Sequence, residues 1–93
     1  HDQEILLVHG CPGETREDRI WSRPDLTQLP LLGDTVVIVG HTPTALFRGG
    51  EIESSLSIYY NNKFIGLDCS CGHSTRHRRL ACLRLDDMRE FYV

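Results

Sequence analysis

The sequence predicts an α/β fold that is rich in strands, and three patterns support this prediction. Two short runs are apolar and β-branched, a helix-capping signal lies between them, and the last third of the chain reads as short strands separated by turn residues. Short runs that are apolar at every position are typical of strands buried on both faces of a sheet. We therefore expect five or six strands and one or two short helices in this chain of 93 residues.

The first half of the chain predicts two strands with a helix between them. Ile5–Val8 and Thr35–Val39 are the two apolar runs, and a Gly and a His follow each of them directly. Thr15, with Asp18 three residues later, is a helix N-cap signal, so we expect a short helix that includes Arg19-Ile20-Trp21. Turns or loops are predicted at Gly33-Asp34, Thr42-Pro43 and Gly49-Gly50.

The last third of the chain predicts two hairpins. The strands expected to pair are Leu56–Tyr60 with Lys63–Asp68, and Leu80–Leu85 with Glu90–Val93. The first pair turns at Asn61-Asn62, because asparagine tolerates the left-handed conformations that a two-residue turn needs. The second pair turns around Asp86-Asp87.

The composition is that of an ordinary globular domain, and we expect neither nucleic acid nor a membrane as its partner. The formal net charge is −3, whereas proteins that bind nucleic acid in bulk are usually basic. No stretch approaches the roughly 18 apolar residues of a membrane-spanning helix, and no leader pattern is visible. The four cysteines are about 4% of the chain, below the roughly 8–10% of disulfide scaffolds. We therefore expect a reducing, cytoplasmic location with free thiols.

Three side chains that suit metal and phosphate chemistry follow the predicted elements. His9 follows the first strand, His41 follows the second, and Arg23 comes just after the predicted helix. In α/β sheets, the loops at strand ends carry functional residues. Neutral imidazole is a common ligand of divalent transition metals, and the forked guanidinium suits a pair of phosphate oxygens. Each residue taken alone is also common in a structural role, but together they predict metal-assisted chemistry on a phosphate.

Six segments, in order along the chain, resemble a known family. They are Val-His-Gly at 8–10, Trp-Ser-Arg-Pro-Asp at 21–25, Val-Ile-Val-Gly-His-Thr-Pro at 37–43, Ile-Gly-Leu-Asp-Cys-Ser-Cys-Gly at 65–72, Leu-Ala-Cys-Leu-Arg-Leu-Asp-Asp at 80–87 and Phe-Tyr-Val at 91–93. This series resembles the C-terminal half of calcineurin-like metallophosphoesterases. More narrowly, it is similar to the Ser/Thr protein phosphatase branch and its bacterial and diadenosine-tetraphosphatase relatives. Gly-His-Thr-Pro after a Val/Ile strand is the most specific part of the resemblance.

The resemblance implies a fold, a site and a reaction. Residues 1–93 would be the strand-rich C-terminal part of a single domain, a four-layer α/β/β/α sandwich. His9 and His41 would ligate one of two divalent metal ions (Mn, Fe, Zn or Ni), and Arg23 would contact the substrate phosphate. The reaction would be hydrolysis of a phosphorylated substrate, namely a phosphoprotein, a dinucleoside polyphosphate or a small phosphoester.

The three motifs of the family's first half do not occur in this sequence. These are Asp-x-His, Gly-Asp-x-x-Asp-Arg and Gly-Asn-His, which supply the other metal's ligands, the bridging Asp and the general acid in the family. Asp34 follows Gly33, but Thr35 and Val36 come next, so the bridging motif is not formed. We therefore expect the isolated chain to be an inactive half of a site, completed by a missing N-terminal half or by a homo-oligomer. Such a half should expose sheet faces and edges.

A second cluster supports a different class of function. Cys69, Cys71, His73 and His77 have the spacing C-x-C-x-H-x3-H, and the first three would face one side of an extended strand. Four such ligands can hold a structural Zn²⁺, which would make the chain a small zinc-stapled interaction module. The same residues are also ordinary as packed cysteines and exposed histidines. The adjoining basic run at 76–79 is expected to be a solvated loop.

Overall fold

Six strands and two short helices make up the described part of the chain, which covers residues 3–27, 33–50, 57–72 and 79–93 of this computed structural model. In chain order they are β1 (Ile5–Val8), α1 (Arg16–Trp21), β2 (Val36–Pro43), α2 (Thr44–Phe47), β3 (Tyr59–Asn61), β4 (Phe64–Asp68), β5 (Ala81–Arg84) and β6 (Arg89–Tyr92). The predicted mixed α/β class with a high strand content is confirmed. Neither helix in these ranges is long and apolar enough to cross a membrane.

The main sheet has four strands in the order β1-β2-β4-β3. β1, β2 and β4 run parallel, whereas β3 and β4 form an antiparallel hairpin. β2 lies between two partners, and its Val37, Ile38 and Val39 are buried, as the apolar run predicts. Because parallel strands end at the same edge of a sheet, the residues that follow β1, β2 and β4 come close together.

Different elements cover the two faces of the main sheet. On one face, Phe64 is the centre of a core with Val37 and Val39, and Phe47 of α2 packs edge-on against it with ring centroids 5.3 Å apart. The core on the other face contains three buried isoleucines, Ile38, Ile58 and Ile65. The two-stranded sheet of β5 and β6 packs on this second core. The layers therefore follow the order helix, main sheet, second sheet.

A carboxylate joins the β5–β6 sheet to the edge of the main sheet. Glu90 of β6 accepts hydrogen bonds from the hydroxyls of Tyr60 in β3 and Tyr92 in β6. The Tyr92 hydroxyl also accepts a hydrogen bond from the backbone N–H of Ile58 at 3.1 Å. The two hydroxyls hold the pKa of Glu90 below its usual range. Burial, together with the Glu90 carboxylate, raises the pKa of Tyr60 well above its ordinary value.

Several local predictions are confirmed. The Thr15 side chain accepts a hydrogen bond from the Asp18 N–H at 3.1 Å, and α1 follows this cap. β5 and β6 pair around a turn that contains Asp86-Asp87. The beginning of the strand predicted from Leu56 lies outside the described residues.

β1 is much more exposed than its apolar sequence predicts. Ile5 and Leu6 are 41% exposed, and Leu7 is 67% exposed. Among the described residues β1 pairs only with β2, so it is an edge strand. The prediction that this run is buried on both faces is therefore wrong. An exposed apolar sheet edge, which the sequence also led us to expect, is present here.

Three further predictions are wrong in their local backbone. Thr42-Pro43 does not begin a loop, because β2 continues through Pro43 and α2 follows at once. The β3–β4 turn is centred one residue later than predicted, since Asn61 belongs to β3 and Asn62 has the left-handed φ of 53°. β4 ends before the cysteine cluster, and Ser70 has a φ of 69°, so residues 69–71 are not an extended strand.

Candidate functional site

His9 and His41 lie side by side at the carboxyl ends of two neighbouring parallel strands. Val8, the last residue of β1, pairs with Val39 of β2. The His9 carbonyl accepts backbone hydrogen bonds from Gly40 at 3.1 Å and from His41 at 2.9 Å, which fixes the two segments together. The centroids of the two imidazole rings are 5.0 Å apart, and the rings are tilted by 49°. His9 is exposed and His41 is half-buried.

His41 belongs to an irregular stretch of β2. The register of β2 against β4 shifts between Val39 and Pro43, as it does at a β-bulge. Bulges re-aim side chains and are common beside functional sites. Gly40 in this stretch has room for a side chain, because a Cβ there would be 3.8 Å from His9 Nδ1, an ordinary contact. Thr42 is buried, and its Oγ1 has no hydrogen-bond partner among the described residues.

Gly10 allows α1 to lie against the end of β1. A Cβ at position 10 would be 2.7 Å from the Asp18 carbonyl oxygen, which is closer than real side chains approach. The Gly10 N–H donates to the Arg19 carbonyl oxygen at 2.6 Å. This contact holds the end of α1 near the histidines, and Trp21 meets the His41 ring edge-on with centroids 5.9 Å apart.

A cleft of about 310 Å³ opens beside both histidines, where β2 and β4 end and β5 begins. The lining residues with polar or reactive side chains are His9, His41, Asp68, Cys69, Cys71 and Arg79. Asp68 is the last residue of β4, and its Oδ1 accepts the Ser70 N–H at 2.8 Å. Arg79 comes to this place because its backbone N–H donates to the Cys69 carbonyl oxygen at 3.0 Å.

Arg23 is placed near this cleft but does not line it. Its side chain is exposed and follows Ser22, the residue that ends α1. Trp21, two residues earlier, contacts His41, so the segment that carries Arg23 lies beside the histidine pair. Arg23 is not among the described residues that line the cleft.

The distance between the two imidazoles is compatible with adjacent positions around one metal ion. With metal–nitrogen bonds of about 2.0–2.1 Å, each ring centroid is about 3.2 Å from the ion, so two rings at about 90–110° are about 4.5–5.2 Å apart. The separation of 5.0 Å between His9 and His41 lies in that range. Within the described ranges, however, no three His, Cys, Asp or Glu side chains are grouped closely enough to hold a metal ion. Among the described residues, the two histidines therefore stand without a third potential metal ligand close by.

The cysteines lie in different environments, and all four are free thiols. Cys69 is buried and Cys71 is exposed. Burial raises the pKa of the Cys69 thiol, and the Arg79 guanidinium acts in the opposite direction. Burial, together with the Asp18 carboxylate, raises the pKa of Cys11, which disfavours its reactive thiolate form. His73 and His77, the other members of the predicted zinc cluster, lie outside the described residues.

Sequence reasoning missed two charged residues of the cleft. Asp68 is the last residue of β4, which runs parallel to β2, so the rule that places polar residues at strand ends would have found it. Arg79 had no such signal, because it was interpreted as part of a solvated basic run. It reaches the cleft through an isolated parallel bridge to Ser70, a pairing that no local pattern reveals.

Comparisons with known proteins assign no relative to this chain: no family model, no curated protein and no solved structure matches it. The histidine pair and its cleft are therefore the basis for a functional assignment.

Proposed function

We propose that this chain forms part of the active site of a metal-dependent phosphoester hydrolase, similar to the Ser/Thr protein phosphatase branch of the calcineurin-like metallophosphoesterases. The observation that carries the proposal is the pair of His9 and His41, whose rings lie 5.0 Å apart at the ends of adjacent parallel strands. The family resemblance assigns a metal-ligand role to these two residues from their motifs alone. The geometry supports this role, because it brings the two side chains together.

The described residues have separate roles in this proposal. A divalent ion held by the two imidazoles would polarise a phosphoryl oxygen and lower the pKa of water toward neutrality. Arg23 would bind the substrate phosphate through its forked guanidinium from the segment after α1. Trp21 supports this role, because its contact with the His41 ring at 5.9 Å holds that segment beside the histidines. The general acid and the remaining ligands would come from outside this set of residues.

The layers of the fold support the proposed four-layer α/β/β/α sandwich. α2 covers one face of the main sheet and the β5–β6 sheet covers the other, so three successive layers have the order helix, sheet, sheet. The exposed apolar edge at β1 would be covered by an N-terminal half or by a second copy of the chain. The same partner would complete the ligand set. The substrate would be a phosphoprotein, a dinucleoside polyphosphate or a small phosphoester.

Metal binding to the full 93-residue chain tests the proposed ligands. In a titration with Mn²⁺ followed by electron paramagnetic resonance, we expect weak binding, because metal sites typically use about three or four protein ligands. His9→Ala and His41→Ala should each abolish this binding, whereas His73→Ala is the matched control and should leave it unchanged. Mn²⁺ binding that survives both the His9 and the His41 substitutions would contradict the proposal.

The zinc-module alternative predicts a different pattern in the same variants. A stoichiometric Zn²⁺ that survives His9→Ala and His41→Ala but is lost in the double variant Cys69→Ser/Cys71→Ser would select that alternative. The backbone disfavours it, because Ser70 has a φ of 69° and breaks the extended strand that would place Cys69 and Cys71 on one side.

Turnover tests whether the site is incomplete. We expect the isolated chain to hydrolyse a generic aryl phosphate no faster with Mn²⁺ than without it, because the described residues supply no third ligand near the two histidines. Rapid Mn²⁺-dependent hydrolysis that His41→Ala abolishes would show that these 93 residues form a complete site.

A further inference from the structure

Trp21 is an exposed aromatic side chain beside the histidine pair, and the proposed function gives it no contact with the substrate. It is 68% exposed, more than any other Phe, Tyr or Trp among the described residues. Its ring centroid lies 5.9 Å from that of His41, and the two rings are nearly perpendicular, with an interplanar angle of 84°. This edge contact leaves most of the indole surface open to a ligand.

The backbone holds Trp21 in this position. Trp21 is the last residue of α1, and the Ser22 N–H donates to the Asp18 carbonyl oxygen at 3.3 Å where the helix ends. The same turn is attached to the end of β1, because the Gly10 N–H donates to the Arg19 carbonyl oxygen at 2.6 Å. The indole is therefore preorganised beside the histidine pair, which lowers the entropy lost when a ligand binds.

The surroundings of Trp21 favour an uncharged aromatic group on the indole and a phosphate next to it. Glu17 lies four residues before Trp21 on α1, so the two side chains are neighbours on the helix surface and a negative charge placed over the indole would be repelled. Arg23, the proposed phosphate-binding residue, comes two residues after Trp21. A nucleobase is uncharged and stacks on aromatic side chains. A nucleotide thus presents a base to Trp21 and a phosphate to Arg23 as separate groups.

The position of Trp21 relative to the cleft favours a nucleobase over a smaller aromatic group. Trp21 contacts the His41 ring but is not among the described residues that line the cleft. In an aryl phosphate the ring is joined directly to a phosphate oxygen, whereas in a nucleotide a ribose separates the base from the phosphate. The ribose provides the additional length that reaches from a phosphate at the histidine pair to the indole.

We propose that Trp21 stacks on a nucleobase of the substrate, so that the substrate is a nucleotide, which selects the dinucleoside polyphosphate among the proposed substrates. This inference rests on the proposed function and deepens it, because it names the substrate class of the same site. Trp21 determines specificity for the base, while the histidine pair and Arg23 act on the phosphate.

The test compares two ligands that carry the same phosphate, adenosine 5′-monophosphate and ribose 5-phosphate. Nuclear magnetic resonance titrations of the full chain are made with Zn²⁺, which is diamagnetic. The indole N–H resonance of the one tryptophan should shift with the nucleotide only. The unaltered chain should bind the nucleotide about tenfold more tightly, the usual effect of stacking one base on an aromatic side chain. Trp21→Leu should make the two affinities equal, and Trp21→Phe should keep part of the difference.

The ratio of the two affinities separates stacking from a structural effect of the substitution. If Trp21→Leu only weakens the fold or the metal site, both ligands lose affinity and the ratio stays at its native value. Phe91→Leu is the matched control and should leave the ratio unchanged, because Phe91 is also exposed, at 39%, and is not among the described residues that line the cleft.

Four results would overturn the inference. They are no detectable binding of the nucleotide, equal affinities of the unaltered chain for the two ligands, a ratio that Trp21→Leu leaves unchanged, and tighter binding of phenyl phosphate than of the nucleotide.

The failures of the two proposals can be distinguished. Mn²⁺ binding that depends on His9 and His41, together with equal affinities for the nucleotide and the sugar phosphate, would support the hydrolase and overturn the role of Trp21. A nucleotide preference that depends on Trp21, in a chain without Mn²⁺ binding, would support the base-stacking site and contradict the hydrolase.

Discussion

Replacing Gly10 with alanine should destabilise the fold by pushing α1 away from the end of β1. An alanine Cβ would be 2.7 Å from the Asp18 carbonyl oxygen, 2.9 Å from the Ile20 carbonyl carbon and 2.9 Å from the Ser22 carbonyl oxygen. All three are backbone atoms of the α1 segment, so no side-chain rotation relieves the clash. The segment must move as a unit, which stretches the hydrogen bond from the Gly10 N–H to the Arg19 carbonyl oxygen.

The size of the effect follows from two opposing terms. Overpacking of this kind costs about 1–3 kcal/mol, and the reduced freedom of alanine in the unfolded chain offsets about 0.4–1 kcal/mol of that cost. The net loss in the free energy of unfolding is therefore about 1–2 kcal/mol, which lowers the Tm by about 5–15 °C for a domain of this size. Circular dichroism measures the Tm. Fluorescence of Trp21, the one tryptophan of the chain, reports whether its contact with His41 is lost.

Gly72→Ala is the matched control for this prediction. Among the described residues, no heavy atom lies within 4 Å of a Cβ added at position 72, and Gly72 does not have the left-handed φ that favours glycine. Its substitution should leave the Tm unchanged or raise it slightly, because only the unfolded chain is affected. If Gly10→Ala has a Tm equal to or above that of Gly72→Ala, the described packing of α1 against β1 is refuted.

Three other predictions concern individual side chains of the two sheets. Glu90 has a lowered pKa, so its hydrogen bonds stabilise the fold fully above about pH 4.3 and are lost as the pH falls through the lower pKa of the folded state. Tyr60 has a raised pKa, so its contribution to stability is full below about pH 10 and is lost at higher pH. Glu90→Gln should therefore flatten both ends of the Tm–pH profile relative to the native chain. Thr42→Val should keep or raise the Tm, because the buried Oγ1 has no described partner, and a fall of more than about 1 kcal/mol in unfolding free energy would contradict this. Leu7→Lys should reduce self-association in sedimentation measurements without lowering the Tm, since Leu7 is 67% exposed on an edge strand.

The sequence predicts which segments form strands better than it predicts how deeply each strand is buried. Ile5–Val8 and the buried part of β2 are both apolar at every position, yet β2 is buried and β1 is exposed. The difference is the position of each strand in the sheet, since β2 pairs on both sides and β1 pairs with β2 alone among the described strands. Strand order depends on long-range pairing, which no local pattern contains.

The same limit applies to the site. The approach of His9 and His41 could be predicted, because each follows a strand and parallel strands end at one edge of a sheet. Arg79 could not, because it reaches the cleft by pairing with Ser70 across a separate segment of the chain. A glycine beside His9 allows either a backbone or a ligand to approach closely, and at Gly10 the neighbour is the backbone of the α1 segment, which the sequence did not specify.

The exposed edge at β1 and the ligand role proposed for His9 and His41 lead to one structural requirement. β1 is the outer strand of the described sheet, and His9 follows it directly. A further parallel strand beside β1 would cover the exposed side of Leu7, and its carboxyl end would come next to His9 for the same reason that His41 does. Asp, Asn or His residues after such a strand would then lie where the proposed metal site needs its third and fourth ligands. A partner that covers this edge therefore supplies ligands in the same step, which predicts that Mn²⁺ affinity and protection of β1 from hydrogen exchange rise together when the partner binds.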